Sequence, residues 1–237
     1  MRSQGTGRWA PTHGRMYQMK LGLLTAPFED WTLEAVADWS ASEGFEMLEV
    51  ACWPAAGAEK RRYAGTSHID VAGLTQAQGS EITGMLADKG LTISGLGYYP
   101  NPLHPEAEVR AAATDHIKAV ISAAPKLGVG VVNTFMGGDH TLTLDQNWER
   151  AMEIFPGIVA HARETGVTLA FENCPMIFSY DEWPGGKNIA YSPKTWRRIF
   201  ETWPEGVGMN YDPSHLVWQM IDPGRFIHEF GGKMVHA

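Results

Sequence analysis

Gly206-Val-Gly-Met-Asn-Tyr-Asp-Pro-Ser-His-Leu-Val-Trp218 reads as a short buried strand, Val207 to Tyr211, that runs straight into a polar turn. Asp212 and His215 stand in that turn, three residues apart. Ionisable groups are costly to bury without a partner, so packing alone does not account for a carboxylate and an imidazole leaving a buried strand together. Two other apolar runs end the same way, Val167-Thr-Leu-Ala-Phe-Glu172 and Lys233-Met-Val-His236. Strand ends that repeatedly carry ligating side chains suggest one rim at which several strands meet.

Working outward, short apolar runs alternate with longer amphipathic ones. Lys20 to Leu24 predicts a first strand, and Thr32 caps a helix through Glu43 that Gly44 stops. Phe45 to Val50 predicts the second strand, Thr75 to Lys89 a helix closed by Gly90, and Leu91 to Leu96 the third strand. Ala107 to Leu127 reads as a long helix whose last turn Pro125 should distort. Val129 to Val132, ending at Asn133-Thr134, is strand four; Trp148 to Thr165 is the next helix. Pro193 opens a helix at the favoured first-turn position, and a short helix from Pro223 leads to a seventh strand, Lys233 to Val235. Met176 to Ala190 is too rich in Gly and Pro for regular structure and reads as a lid-like loop.

Repeated βα units imply an α/β domain with a parallel sheet. A doubly wound open sheet is the alternative to a (β/α)8 TIM barrel. The barrel is favoured because no G-x-G-x-x-G follows the first strand. Polar residues also fall at C-terminal strand ends throughout: Glu49, Tyr98 with Asn101, Asn133, Glu172, Asp212 and His236. Seven strands are counted. The expected organisation is a disordered leader over residues 1–16 and one barrel domain over 17–237.

The totals exclude several classes. A chain of 237 residues, 44% apolar and 19% charged, suits one α/β domain with a sizeable core. A formal net charge of -8 argues against a nucleic-acid partner. No apolar run is long enough to span a bilayer, so no membrane association is expected. Cys52 and Cys174 are too few for a disulfide scaffold, and a reducing cytoplasm is the default location. Cys174 reads as a small buried filler. Assembly into a homo-oligomer is left open.

Glu172, Asp212 and His236 together offer two carboxylates and one imidazole. That set suits a single divalent metal ion, Mn²⁺, Mg²⁺, Co²⁺ or Zn²⁺. Such an ion would polarise a carbonyl, and Glu172 could transfer the proton from the neighbouring carbon. Asp212 has the alternative of capping its turn. His215 reaches a substrate hydroxyl, binds a second metal, or is a satisfied turn histidine. Glu49 and Asn101 are candidate substrate-binding residues, Glu49 with the alternative of a structural ion pair. His68 is a weaker candidate. Trp53, Tyr98, Tyr99, Phe135, Trp183 and Trp218 fall in loops at the same rim, where sugar sites use aromatic surfaces.

The runs Gly97-Tyr-Tyr-Pro-Asn-Pro-Leu, Leu127-Gly-Val-Gly-Val-Val-Asn-Thr-Phe, Phe171-Glu-Asn-Cys-Pro-Met, Asn210-Tyr-Asp-Pro-Ser-His-Leu-Val-Trp and Met234-Val-His-Ala resemble the sugar phosphate isomerase/epimerase family of xylose-isomerase-like TIM barrels. The resemblance covers nearly everything after Met19. It implies metal ligands at Glu172, Asp212 and His236, a second catalytic carboxylate besides Glu172, and a substrate or second-metal contact at His215. It also implies a further Glu on an eighth strand. The sequence stops at Ala237, so a C-terminally truncated member with low activity is expected. The implied activity is isomerisation or epimerisation of a sugar, sugar phosphate or polyol through an enediolate. Alternatives are an inosose-type dehydratase and a non-catalytic carbohydrate- or metal-binding member. An endonuclease IV-like reading is disfavoured, because Tyr98-Tyr99 and Asn133-Thr134 stand where it would want histidines.

Overall fold

A computed structural model describes residues 19–55, 64–176 and 186–237. The leader expected over 1–16, Trp183 and most of the loop from Met176 to Ala190 lie outside the described residues. Seven strands, β1 (Gly22–Leu24), β2 (Met47–Ala51), β3 (Thr92–Gly97), β4 (Val131–Thr134), β5 (Thr168–Glu172), β6 (Val207–Asn210) and β7 (Met234–His236), form one sheet in chain order. Every neighbouring pair is parallel. The helices between them are α1 (Leu33–Ser42), α2 (Gln76–Asp88), α3 (Ala107–Ala123), α4 (Leu144–Glu164), α5 (Pro193–Thr202), α6 (Ser214–Val217) and α7 (Pro223–Phe230).

Local chemistry sets these limits. Thr32 accepts from the Ala35 N–H at the start of α1, and Thr75 with Gln78 closes a capping box on α2. The last turn before Gly128 tightens into a 3-10 helix, Ala124–Leu127, because Pro125 has no N–H to continue the α pattern. Helix α4 begins at Leu144, four residues before the expected Trp148. Thr143 and Gln146 form a capping box there, which satisfies its first free N–H groups. A proline at 156 is carried inside that helix.

The helices cover one face of the sheet. Phe155 of α4 meets Phe171 of β5 edge-on at 5.3 Å, and Trp148 packs on Trp203 at 5.8 Å. Leu48, Ile117, Phe155, Phe171 and Trp196 at the sheet–helix boundary are fully buried. The sheet is strongly curled. His236 Nε2 on β7 lies 2.9 Å from Ser94 Oγ on β3. In a flat sheet, four strand spacings would hold those strands roughly 19 Å apart. The concave side is therefore a barrel-like interior of seven strands, and β1 and β7 are its two edges among the described residues.

Two irregularities aim side chains into that interior. A register shift at Leu48/Glu49 makes Ser94 an extra residue on β3. Another, at Met209/Asn210, sets His236 level with Asn210.

Candidate active site at the C-terminal ends of the strands

The register aligns Glu172, the last residue of β5, with Asn210, the last of β6. The ladder ends there, and Asn173 extends it with its side chain. Its Nδ2 donates to the Asp212 carbonyl at 2.8 Å, and its Oδ1 accepts from the Asp212 N–H at 2.7 Å. Asp212 is thereby fixed beside Glu172. Its Oδ1 accepts from the Ser214 N–H at 2.8 Å and so starts α6, which carries His215 back over the strand ends. Asp212 thus caps its turn and also faces the site.

His215 Nε2 lies 3.3 Å from Glu172 Oε1 and 3.3 Å from Asp212 Oδ2. One imidazole nitrogen therefore bridges the two carboxylates. Burial pushes the Glu172 carboxyl above its ordinary pKa; the hydrogen bond and charge of His215 oppose this, and Glu49 and Asp212 add to it. Cys174 stands two residues on, the same face of an extended chain. Atoms of Glu172, Cys174 and His215 all lie within 4.8 Å of one another. A carboxylate, a thiol and an imidazole at that separation, with Asp212 at the edge, are a donor set that fits a divalent ion. Burial, then the charge of Glu172, holds the Cys174 thiol protonated well above its ordinary range, which does not favour a free nucleophile.

His236 is not gathered with Glu172 and Asp212. The shifted β6–β7 register sets its ring among residues of the interior. Nδ1 is 2.9 Å from Asn210 Oδ1, Nε2 is 2.9 Å from Ser94 Oγ, and Glu49 Oε2 lies 3.8 Å from Nδ1. The pair Glu172–Asp212 is therefore brought together as expected from sequence, with His215 rather than His236 between them.

Glu49 closes the inner side of the site. It is buried and accepts from the Tyr99 hydroxyl, which itself accepts from Asn210 Nδ2 at 3.0 Å. Burial raises the Glu49 pKa, against the lowering influence of His236, Tyr99 and Asn133. Burial, then the charges of Glu49 and Glu172, keep the Tyr99 phenol protonated. Gly97 is required opposite Glu49, since a Cβ there would stand 2.6 Å from Oε1.

A carboxyl whose pKa is raised by folding binds protons more tightly folded than unfolded. Its contribution to stability is full below the unfolded pKa and is lost as pH rises through the folded value. Glu49→Gln is therefore expected to flatten the fall in stability between weakly acidic and neutral pH. The check is the difference between parent and variant in urea unfolding along a pH series.

Other candidates have structural roles. Asn101 donates to the Gly138 carbonyl and accepts from the Gly138 and Leu103 N–H groups, which locks the loop after β4 rather than facing a substrate. His68 lies 2.9 Å from Thr25 Oγ1 and 3.2 Å from the Phe28 and Trp31 carbonyls, pinning the loop after β1. Of the aromatics, Tyr99 lies 5.9 Å from Trp53 and 5.0 Å from Phe135. Phe135, Cys174 and Met176, packed against Tyr99, form an apolar wall beside the carboxylates. Trp218 is half exposed, 6.0 Å from the His215 ring.

The sequence profile of the family described as Xylose isomerase-like TIM barrel matches residues 37–237. The chain belongs to that family. It is similar to the Bacillus subtilis (strain 168) protein YfiH, described as uncharacterised, at 25% identity over 92% of this chain and 72% of the relative. Two solved structures share its fold. D-psicose 3-epimerase from Clostridium cellulolyticum H10, crystallised with D-tagatose, superposes with a TM-score of 0.66 at 19% identity, over 91% of this chain and 71% of the other. AsbF from Bacillus anthracis, described as a probable 3-DHS dehydratase in petrobactin synthesis, gives 0.68 at 14% identity over the same shares. Glu172 ends β5, and Asp212 and His215 follow the end of β6, so all three stand at the C-terminal ends of the strands, the face at which TIM-barrel enzymes hold their chemistry. No helix among the described residues is long and apolar enough to cross a membrane.

Proposed function

We propose that the protein is a divalent-metal-dependent isomerase or epimerase of a sugar, sugar phosphate or polyol. The observation that carries this reading is the Glu172–His215–Asp212 triplet at the strand ends of a chain in this family, with His215 buried and Asp212 partly open to solvent. Glu172, Asp212 and His215 would hold the ion, which when bound supplies Lewis acidity toward a substrate carbonyl.

The chain's own groups account for the rest. Glu172, its proton affinity raised by burial, is placed to take a proton from the carbon next to a carbonyl. That leaves an enediolate, and return of the proton to the other face, or to the neighbouring carbon, gives the epimer or the isomer. Tyr99, protonated and held by Glu49 and Asn210, presents a hydroxyl on the inner side of the site. The apolar wall of Phe135 and Met176 offers a surface for sugar C–H groups and limits water.

Dehydration of a keto-polyol is the second reading. It begins with the same proton abstraction, and the fold likeness to AsbF favours keeping it. Incubation with ketohexoses or keto-polyols and a divalent ion in deuterated water is the test. Deuterium appearing at the carbon beside the carbonyl, with an epimer or isomer as product, is the expected result. Loss of water from that adduct selects the dehydratase, and no exchange with any such substrate sinks both.

A further inference from the structure

We propose that Cys174 is a ligand of the ion at this site, so that the site selects a borderline-soft ion, Zn²⁺ or Co²⁺, over Mg²⁺ or Mn²⁺. The inference deepens the metal-dependent reading above and rests on it. The geometry is a Glu-x-Cys pair on one face of extended chain, closed by a histidine from α6, with the three donor atoms within 4.8 Å of one another. Ligands bound at about 2.0–2.3 Å to one tetrahedral centre stand roughly 3.3–3.8 Å apart, so the three donors are near enough to close on an ion by small side-chain shifts.

The segment that carries Cys174 is built to hold it in place. Asn188 Nδ2 donates to the Cys174 carbonyl at 2.7 Å and to the Glu172 carbonyl at 3.0 Å, so one side chain fixes both ends of the pair. The Met176 N–H points at the Cys174 sulfur at 3.4 Å, the contact that stabilises charge on a sulfur ligand. Met176 adopts a φ of 57°, uncommon for a residue with a side chain, and its thioether accepts from the Cys174 thiol at 3.5 Å, a bond given up when the sulfur loses its proton to ligate.

The chemistry balances simply. The thiol gives its proton to solvent as its sulfur bonds the ion, and no oxidant or reductant takes part. A thiolate among oxygen and nitrogen ligands favours ions that accept sulfur, whereas carboxylate and imidazole alone leave the choice to geometry and supply.

Cobalt(II) titration of the purified, metal-free protein tests this. The expected result is a thiolate-to-cobalt charge-transfer band in the near ultraviolet that rises together with the visible cobalt bands. Cys174→Ser should lose that band, and its preference for Zn²⁺ over Mn²⁺ in competition dialysis should fall at least ~10-fold. Visible cobalt bands without a thiolate band in the parent overturn the proposal while leaving the metal reading intact. A thiolate band that persists in Cys174→Ser overturns it as well. No cobalt bound at all overturns both this and the metal reading. The parent's spectrum decides the first of these outcomes even if the variant does not fold.

Discussion

Glu172→Gln is expected to lower the rate of proton exchange at the carbon beside a substrate carbonyl by ~10²–10⁴-fold at saturating divalent ion, with the fold intact. The amide keeps the size of the side chain and can still meet His215, so packing at the end of β5 is preserved. What it loses is the ability to accept a proton and one anionic donor to the ion, and the saturating ion concentration offsets the second loss. Burial already opposes the ionised form of Glu172, so replacing the carboxylate with a neutral amide removes an unfavourable charge, and unfolding stability at neutral pH should hold or rise. A stable variant with little exchange is therefore the signature of a proton-transferring carboxylate. A variant that loses exchange only in step with its folded fraction would reduce Glu172 to a structural group. Undiminished exchange in a folded variant would remove it from the mechanism. The same pair of measurements separates an enzyme from a carbohydrate-binding relative, in which Glu172→Gln changes affinity and there is no exchange to lose.

The alternation that sets seven parallel strands between helices is plain in the chain because several helices carry start or stop residues: Thr32 and Gly44, Thr75 and Gly90, Pro193. The start of α4 was readable too, since Thr143-x-x-Gln146 is a capping-box pattern that outranks the first large apolar residue. The site was legible where it depends on position along a strand. Glu172 ends β5 and Asp212 stands two residues past the end of β6, and a parallel ladder puts those strand ends side by side. His236 depends instead on a one-residue shift in the β6–β7 register, which no local pattern encodes, and that shift aims its ring at Ser94 and Glu49. Cys174 is buried, as its reading as a small filler expects, and it also stands at i+2 from Glu172, the spacing that puts two side chains on one face of extended chain. Asn101 looked like a rim group, but its carboxamide is taken up by backbone partners thirty-odd residues away, and backbone partners leave no trace in side-chain chemistry. Asn173 escaped notice for the same reason.

Asn173→Ala is expected to cost about 2–3 kcal/mol in unfolding free energy and to weaken divalent-ion affinity at the same time. The residue is fully buried, and both bonds of its carboxamide go to one residue, the N–H and C=O of Asp212. Those two bonds extend the β5–β6 ladder one step beyond its backbone end, at the point where Glu172 and Asp212 must face each other. Truncation leaves the Asp212 peptide without those partners, hence the stability loss. It also frees the turn that starts α6, hence the loss of alignment among Asp212, His215 and Glu172. Asn173→Asp makes the prediction sharper. A carboxylate can still accept from the Asp212 N–H, but it has no donor for the Asp212 carbonyl and places a second negative charge beside Glu172. Its stability should therefore fall at least as far as that of the alanine variant near neutral pH and recover as the pH is lowered. Urea unfolding and cobalt titration on both variants, below their unfolding transitions, distinguish positioning from mere support. If the folded variants bind cobalt as tightly as the parent, Asn173 stabilises the strand ends without setting the geometry of the site.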